Sequence, residues 1–405
     1  MERLLLLDGN GLIYRGYFAL IDQPLTTSKG ELVTAVFGFT NIVLRAIQDV
    51  KPDRIAVAFD LGKPTFRHER YAEYKATRTR MPDDMREQIP KVREVVAALG
   101  IPVYEQEGFE ADDAIATLVG QAEAAGFDTV ILTGDLDMLQ LVSEHTTLMV
   151  SLRGGIANTV AYDLAKIEDR WGLRPDQMLD YKALKGDPTD NIPGIPGVGE
   201  KTAAKLVATW GSLDELYVHI DEVTPEKLRP LLAEHRETVL ESRELMRLVR
   251  DVDVTLDPER GRVGEYDRET VVRLFREYEF RTLIVRLPPL AGERPEDAAA
   301  VLREVRDAGF PAAQGRGSGR SGDGGAGRAG SSGGGAGGGR GGARADDDGG
   351  GLQLSLDFDV VSGGGARGSI AGTSPGAEAR AEALAVLSGD LPGALAAAIV
   401  DPGRI

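Results

Sequence analysis

The sequence predicts an α/β fold: a parallel sheet with flanking helices, followed by a mostly helical region. Three apolar runs, each ending in an acid, are typical of buried strands: RLLLLD, RIAVAFD and TVILTGD. The stretches VTAVFGFTNIVLRAIQDV and IPKVREVVAALG have helical patterning and lie between these runs. Because apolar strands that alternate with helices indicate a parallel sheet covered on both faces, the first region is predicted to be an α/β unit.

Changes in composition divide the chain into four predicted segments. The α/β unit spans residues 1–175, and a region with few strands and many helices spans 176–290. Within the second region, Thr224-Pro225 and Asp267 are typical of helix starts. Gly, Ser, Ala and Arg dominate from about residue 311, and a flexible, disordered linker is predicted over 291–351. Residues 352–405 are predicted to be the truncated start of a following domain.

Composition excludes several classes of site. The chain has 405 residues, no cysteine and four scattered histidines, which excludes disulfides, thiolate zinc sites and a cysteine nucleophile. The apolar N-terminal run is too short for a signal peptide or a membrane span, so a cytoplasmic protein without membrane association is predicted. The net charge of −17 disfavours nucleic-acid binding at first sight. Net charge is a whole-chain average, however, and a local basic surface remains compatible with it.

Acidic residues follow each of the predicted strands. In an open parallel sheet the carboxyl ends of the strands meet at one edge, where ligands bind. The segment GFEADD precedes a predicted helix, and DPTDN lies in a Pro-rich turn of the helical region. The nine candidate acids are Asp8, Asp60, Glu110, Asp112, Asp113, Asp135, Asp137, Asp187 and Asp190.

Each acid alone has a structural explanation, as a turn residue or as a helix first-turn residue. Asp-x-Asp also occurs by chance and in phosphatases of the haloacid dehalogenase type. Together the acids need a counter-ion, because two carboxylates about 4 Å apart repel by roughly 4 kcal/mol at an effective dielectric constant of 20. Oxygen ligands without His or Cys favour Mg²⁺ or Mn²⁺, and two such ions suit phosphodiester hydrolysis.

A basic segment with interleaved aromatic residues follows Asp60. It is predicted either to grip phosphates and stack bases or to be an ordinary solvated surface. Its candidate DNA-binding residues are Arg67, Arg70, Tyr74, Lys75 and Arg78.

The stretch GIPGVGEKTAAKLV suggests a second DNA-facing element. Gly194, Gly197 and Gly199 would let the backbone approach a phosphate, and the following helix, which carries Lys201, would donate N–H groups to it. A generic Gly/Pro loop is the alternative.

Seven motifs occur in an order that resembles one family. They are LLLLDGNGLIYRGYFAL, AVAFD, FRHERYAEYKATR, GFEADD, ILTGDLDMLQLV, DYKALKGDPTDNIPGIPGVGEKTA and WGSLDEL. Residues 1–290 are similar to the 5′-3′ exonuclease (flap endonuclease) domains of bacterial DNA polymerases of type I. All nine acids of that family's pattern are present.

The resemblance implies a PIN-like (Rossmann-like) sheet with a helical arch, followed by a helix–three-turn–helix (helix-hairpin-helix-like) region. It implies cleavage of DNA at 5′ ends, nicks and 5′ flaps, and of RNA-primed DNA, in replication and repair. It also implies a nucleoid-associated monomer that continues into a polymerase domain, although no polymerase activity is expected of residues 1–405 themselves.

The resemblance also implies roles for the site residues. Asp8, Asp60, Glu110, Asp112 and Asp113 would form mainly a first metal site, and Asp135, Asp137, Asp187 and Asp190 a second. Lys75 and Arg78 would be basic catalytic residues of the arch. The glycine hairpin, with Lys201, would hold the downstream duplex with a K⁺ ion.

Two other functions are compatible with parts of the pattern. A PIN-like ribonuclease would share the acidic edge, but such enzymes generally lack the glycine hairpin and the arch-like segment. A non-catalytic, structure-specific DNA-binding module would not need the complete set of acids.

Overall fold

The computed structural model describes residues 1–151 and 159–309. Most of the predicted linker (310–351) and the predicted following segment (352–405) lie outside these residues. Within the described part of the chain, no helix combines the length and apolar character needed to cross a bilayer.

One sheet of six strands forms the centre of the described structure, in the order β3-β2-β1-β4-β5-β6. The strands are β1 (Arg3–Asp8), β2 (Arg54–Ala58), β3 (Val103–Tyr104), β4 (Asp128–Thr133), β5 (Thr146–Ser151) and β6 (Thr159–Tyr162). Strands β1 to β5 are parallel to one another, as predicted. Strand β6 is antiparallel to β5. Only residues 152–158 connect the two, too few for the crossover that parallel pairing requires.

Fifteen α-helices surround the sheet in the described residues. They are α1 (Gly9–Ala19), α2 (Thr34–Val50), α3 (Phe66–Arg70), α4 (Asp83–Arg86), α5 (Ile89–Ala98), α6 (Ala111–Ala124), α7 (Leu164–Trp171), α8 (Met178–Lys185), α9 (Glu200–Trp210), α10 (Leu213–Val218), α11 (Leu228–Glu234), α12 (Arg236–Met246), α13 (Arg268–Glu277), α14 (Arg281–Ile284) and α15 (Pro295–Gly309). Helices α2 and α5 confirm the two predicted from periodicity. Asp267 caps α13 by accepting a hydrogen bond from the backbone N–H of Glu269, as its position predicted.

Two hydrophobic cores cover the two faces of the sheet. Along β1, Leu4 and Leu6 point into one core, and Leu5 and Leu7 into the other. Helices α6 to α12 contribute to the first core, whereas α1, α2, α5 and α13 to α15 contribute to the second. The region predicted at 176–290 therefore divides between the two faces, because α13 and α14 return to pack with the N-terminal helices.

Helix α15 corrects the predicted start of the linker. Residues 295–309 are helical, with Ala298 and Leu302 buried and the Val305 carbonyl accepting a hydrogen bond from Arg276 Nη2 at 2.9 Å. Placing the linker boundary at 291 was therefore wrong for these residues. Ala298, Leu302 and Val305 recur at helical spacing, and Leu302 and Val305 pack on the second core. The glycine-rich composition begins soon afterwards.

The basic segment also departs from the expected helical arch. Helices α3 and α4 are short, and the residues between them form turns rather than a continuous helix. Lys75 has a left-handed backbone conformation with φ of 56°, and its N–H donates to the Asp190 carbonyl at 2.9 Å. The segment is thus folded down onto the acidic residues.

Replacing Leu302 with Ala should lower the free energy of unfolding by about 2–5 kcal/mol, because it leaves a cavity under α15. Val301, its exposed neighbour, is the matched control, and Val301→Ala should change stability by less than about 0.5 kcal/mol. Urea unfolding followed by circular dichroism measures both. Equal effects of the two substitutions would show that α15 does not pack on the core in solution.

Candidate metal centre and active site

The sheet register brings the strand-end acids to one edge. Asp8 pairs with Ala58 of β2, two residues before Asp60, and Leu7 pairs with Leu132 of β4. Asp8 accepts hydrogen bonds from the Gly11 N–H at 2.9 Å and from Thr133 Oγ1 at 2.7 Å. These contacts place Asp8 beside the end of β4, which Asp135 follows, as the strand pattern predicted.

The GFEADD acids reach the same edge. Glu110 is the N-cap residue of α6, and the Ala111 N–H donates to Asp60 Oδ1 at 2.8 Å. Asp112 lies in the first turn of the helix, and its carboxylate accepts no hydrogen bond within the described residues. The helix N-terminus therefore anchors one acid of the edge and presents another to it.

Burial and mutual repulsion make the charged form of these acids costly. Burial raises the pKa of Asp8 to about 6, against hydrogen bonds from Gly11 and Thr133, and the charges of Asp60 and Asp135 add to the rise. Burial also raises the pKa of Asp112 well above its usual range, and Asp8 and Asp135 add to this effect. A cation among these carboxylates would relieve both costs.

A second group of acids is bridged by Lys182 of α8. Its ammonium forms ion pairs with Asp137 Oδ1 and with Asp187 Oδ2, the latter at 2.9 Å. Burial opposes the charged lysine, but the nearby acids, Asp187 foremost, outweigh it and raise the pKa of Lys182. This group joins the sheet edge to the turn that follows α8.

The basic segment holds a third contact with the acids. Lys75 Nζ lies 2.6 Å from Glu110 Oε1 and 3.8 Å from Asp190 Oδ2, and Arg78 forms an ion pair with Asp190. Burial opposes ionisation of Glu110, but the charges of Lys75 and Arg67 outweigh it and lower its pKa. Lys75 and Arg78 are thus at the acidic edge as predicted, bound to carboxylates.

The donor set suits a hard divalent cation, because the clustered acids supply carboxylate oxygen ligands. Within the described residues, however, no three acidic or histidine side chains are gathered around one point to hold a metal ion. Lysine and arginine side chains instead occupy oxygens of Glu110, Asp137, Asp187 and Asp190. A divalent ion about 4 Å from a retained ammonium would be repelled by roughly 8 kcal/mol at a dielectric constant of 20, so Lys75 and Lys182 would have to move if a metal ion bound beside them.

Arg67 and Asp113 are corrections to the predicted site. Arg67 is buried, with two hydrogen bonds to Asp113 at 2.6 and 2.7 Å and others to the carbonyls of Leu245 and Arg247. Asp113 is fully buried and also accepts from the backbone N–H groups of Glu110 and Val249. Arg67 therefore faces no DNA, and the oxygens of Asp113 are already bound within the fold.

Tyr74 is also unavailable for base stacking. It is buried, with its hydroxyl 2.9 Å from Glu110 Oε2 and 3.2 Å from Asp190 Oδ2. Its predicted role in DNA binding was wrong because the aromatic ring packs inward against Leu179, Ile192 and Leu245. Arg70, by contrast, is exposed.

The glycine hairpin has two kinds of glycine. A Cβ at Gly194 would lie 2.3 Å from the backbone of Lys185, so close packing against the end of α8 requires glycine there. Gly197, at φ 82°, and Gly199 are exposed with open space beside them, and Gly199 is the N-cap residue of α9. Lys201 is exposed on the first turn of α9.

Sequence reasoning missed Lys182 and Arg15. Lys182 precedes Asp187 by five residues in the quoted motif, and its charge in an otherwise buried helix face was the available signal. Arg15 is buried on α1, its Nε has no hydrogen-bond partner within the described residues, and burial lowers its pKa to about 10 against the opposing charge of Asp8. An arginine on the apolar face of α1 was the corresponding signal.

A mostly parallel sheet with clustered acids at its carboxyl edge and a helical region after it defines the PIN-like, or resolvase-like, class of fold. The family model of the 5′-3′ exonuclease N-terminal resolvase-like domain matches residues 3–172, and that of the 5′-3′ exonuclease C-terminal SAM fold matches residues 173–269. The chain belongs to the 5′-3′ exonuclease family.

Curated relatives agree with this assignment. The chain is 46% identical over 307 residues to DNA polymerase I of Chloroflexus aurantiacus, covering 73% of this chain and 32% of the relative. It is 45% identical over 284 residues to DNA polymerase I of Mycobacterium bovis, covering 70% and 31%. The chain thus spans about a third of the length of these relatives.

Solved structures share the fold. The bacteriophage T5 flap endonuclease in a complex with DNA and metal ions has a TM-score of 0.51 at 18% identity, covering 76% of this chain and all of that one. A T5 protein co-crystallised with metal ions has a TM-score of 0.50 at 17% identity, covering 75% and 99%.

Replacing Arg67 with Met should lower the free energy of unfolding by about 3–5 kcal/mol, because it leaves the charge of Asp113 buried without its partner. Removing both charges, in Arg67→Met with Asp113→Leu, should recover part of the loss. Exposed Arg70 is the control, and Arg70→Met should leave stability unchanged within about 0.5 kcal/mol. Urea unfolding measures all four proteins. A small effect of Arg67→Met would contradict the buried pair.

Proposed function

We propose that the chain is a divalent-metal-dependent 5′-3′ exonuclease and 5′-flap endonuclease that hydrolyses DNA phosphodiesters. The observation that carries this proposal is the acidic edge of the sheet, in a chain that matches both domains of the 5′-3′ exonuclease family. The match to the second domain, which contains the glycine hairpin, favours this function over a PIN-like ribonuclease. The DNA and metal ions of the T5 complex support the same substrate and cofactor class.

The acids would be divided between two ions. Asp8, Asp60, Glu110 and Asp112 would hold the first, and the second would lie among Asp135, Asp137, Asp187 and Asp190. Asp113 is left out because Arg67 and two backbone N–H groups use its oxygens. Bound Mg²⁺ or Mn²⁺ would supply an activated water and neutralise charge on the phosphate.

The basic residues would position the substrate. Lys75 and Arg78 lie within reach of the acidic edge and, once released from Glu110 and Asp190, would hold the scissile phosphate against it. The exposed hairpin at Gly197 and Gly199, with Lys201 on α9, would grip the duplex through backbone N–H groups, with a K⁺ ion among its carbonyls. The chain would act as a monomer on flapped, nicked or RNA-primed DNA.

Cleavage of a 5′-flap DNA should vanish in EDTA and return with Mg²⁺ or Mn²⁺. Asp135→Asn should slow single-turnover cleavage at least about a thousandfold while DNA affinity holds or rises, because it removes a ligand and negative charge together. Exposed Asp169 is the control, and Asp169→Asn should cleave at the parental rate. Full activity in chelator would refute the metal-dependent mechanism.

Lys75→Ala and Arg78→Ala should each slow single-turnover cleavage of a saturating flap substrate, because the phosphate is no longer held at the acidic edge. Binding should weaken less, and the slope of log K against log salt should flatten by up to about one unit on duplex DNA. Arg273→Ala, at an exposed side chain of α13, controls for the loss of one positive charge. If both variants cleave at the parental rate, the basic segment does not position the phosphate and is an ordinary solvated surface.

A further inference from the structure

The ammonium of Lys182 bridges two parts of the chain that are remote in sequence. Asp137 lies just after β4, whereas Asp187 lies in the turn after α8. The side chain of Lys182 is 13% exposed, and those of Asp137 and Asp187 are 14% and 9% exposed. The ion pairs are therefore shielded from water, which strengthens the attraction between their charges.

Few other cations face this group of acids. Asp135 lies two residues from Asp137. Burial raises the pKa of Asp135, and among the charged groups Lys182 opposes that rise most strongly, with Arg78 contributing less. Burial opposes ionisation of Asp187, but the charge of Lys182 outweighs it and lowers the pKa of this carboxyl, and Lys185 lowers it more weakly. Lys182 is thus the main compensating charge for Asp135, Asp137 and Asp187, whereas Asp190 is paired with Arg78 and Lys75.

An ammonium and a divalent cation would compete for the same oxygens. Lysine carries a compact charge on a flexible four-carbon stem, so it can leave the group by rotation of its own side chain without moving α8. The carboxylates that it releases are hard oxygen ligands, suited to Mg²⁺ or Mn²⁺. The single positive charge of the ammonium would thereby be replaced by the double charge of the metal ion.

We propose that Lys182 is a built-in counter-ion of the Asp135, Asp137 and Asp187 group, and that a divalent cation enters this group by displacing it. Lys182 therefore weakens the binding of the second metal ion and holds the acids together before that ion arrives. The proposal rests on the proposed metal-dependent function, but it concerns metal binding in the absence of DNA.

The test is a calorimetric titration of DNA-free protein with Mn²⁺. Lys182→Met keeps the length and apolar stem of the side chain and removes its charge, so it should tighten the weaker class of Mn²⁺ sites by about tenfold or more. Exposed Lys166 on α7 is the matched control, and Lys166→Met should leave both classes unchanged within about twofold. Unchanged or weaker Mn²⁺ binding by Lys182→Met would overturn the proposal.

A second measurement separates charge from packing. In chelator, Lys182→Met should melt at a lower temperature than the parent, because the acids lose their counter-ion, and saturating Mg²⁺ should raise its Tm by more than it raises that of the parent. Lys182→Arg keeps the charge and should not tighten Mn²⁺ binding, which keeps the test decisive if Lys182→Met folds poorly in chelator. Tighter binding in both variants would point to lost packing and overturn the counter-ion role.

The two proposals fail in different ways. Lack of flap cleavage with normal Mn²⁺ binding would refute the proposed nuclease function and leave the role of Lys182 standing. Cleavage that requires Mg²⁺, together with unchanged Mn²⁺ affinity in Lys182→Met, would refute the counter-ion alone.

Discussion

Repulsion among carboxylates at the carboxyl edge of the sheet is the constraint around which the rest of the structure is arranged. The parallel register places acids after neighbouring strands, and the N-terminus of α6 adds more at the same edge. Such a cluster is costly when buried, and the raised pKa values of Asp8, Asp112 and Asp135 express that cost. The fold compensates with cations from three different segments: Arg15 in α1, Lys75 and Arg78 in the basic segment, and Lys182 in α8.

The basic side chains differ in how firmly their contacts hold them in place. Arg67 is fully engaged, since its planar fork binds both oxygens of Asp113 and two carbonyls at the C-terminal end of α12. It joins three segments far apart in the sequence and belongs to the scaffold. Lys75, Arg78 and Lys182 instead hold carboxylates through flexible side chains that a metal ion or a phosphate could displace. Ion pairs between basic side chains and carboxylates thus stabilise the fold at Arg67, whereas at the other three residues they can be exchanged.

The two cores explain how this edge stays in position. Helix α6, which carries Glu110 and Asp112, packs in the first core with α8 and α9, which flank the DPTDN turn and the hairpin. The second core packs α1, which Asp8 caps, against α2 and is closed by α13 to α15. Strand β1 contributes to both cores, so the acids on either side of the edge are held in position relative to the same strand. The chemistry is therefore supported from both faces of the sheet.

Much of this was determined by the sequence itself. Apolar runs specify strands β1, β2 and β4, periodicity specifies α2 and α5, and acids after parallel strands must meet at one edge because the strands share a direction. The family resemblance rested on motifs that are contiguous in the chain.

What only the tertiary structure decided are pairings between distant segments. Asp112 and Asp113 are identical neighbours in sequence, yet one faces the acidic edge and the other is buried against Arg67. Likewise Tyr74 and Lys182 acquire their partners only when the helical region folds against the sheet. Local patterns report how a segment presents its own side chains, whereas an ion pair depends on the distance between segments, which packing alone sets.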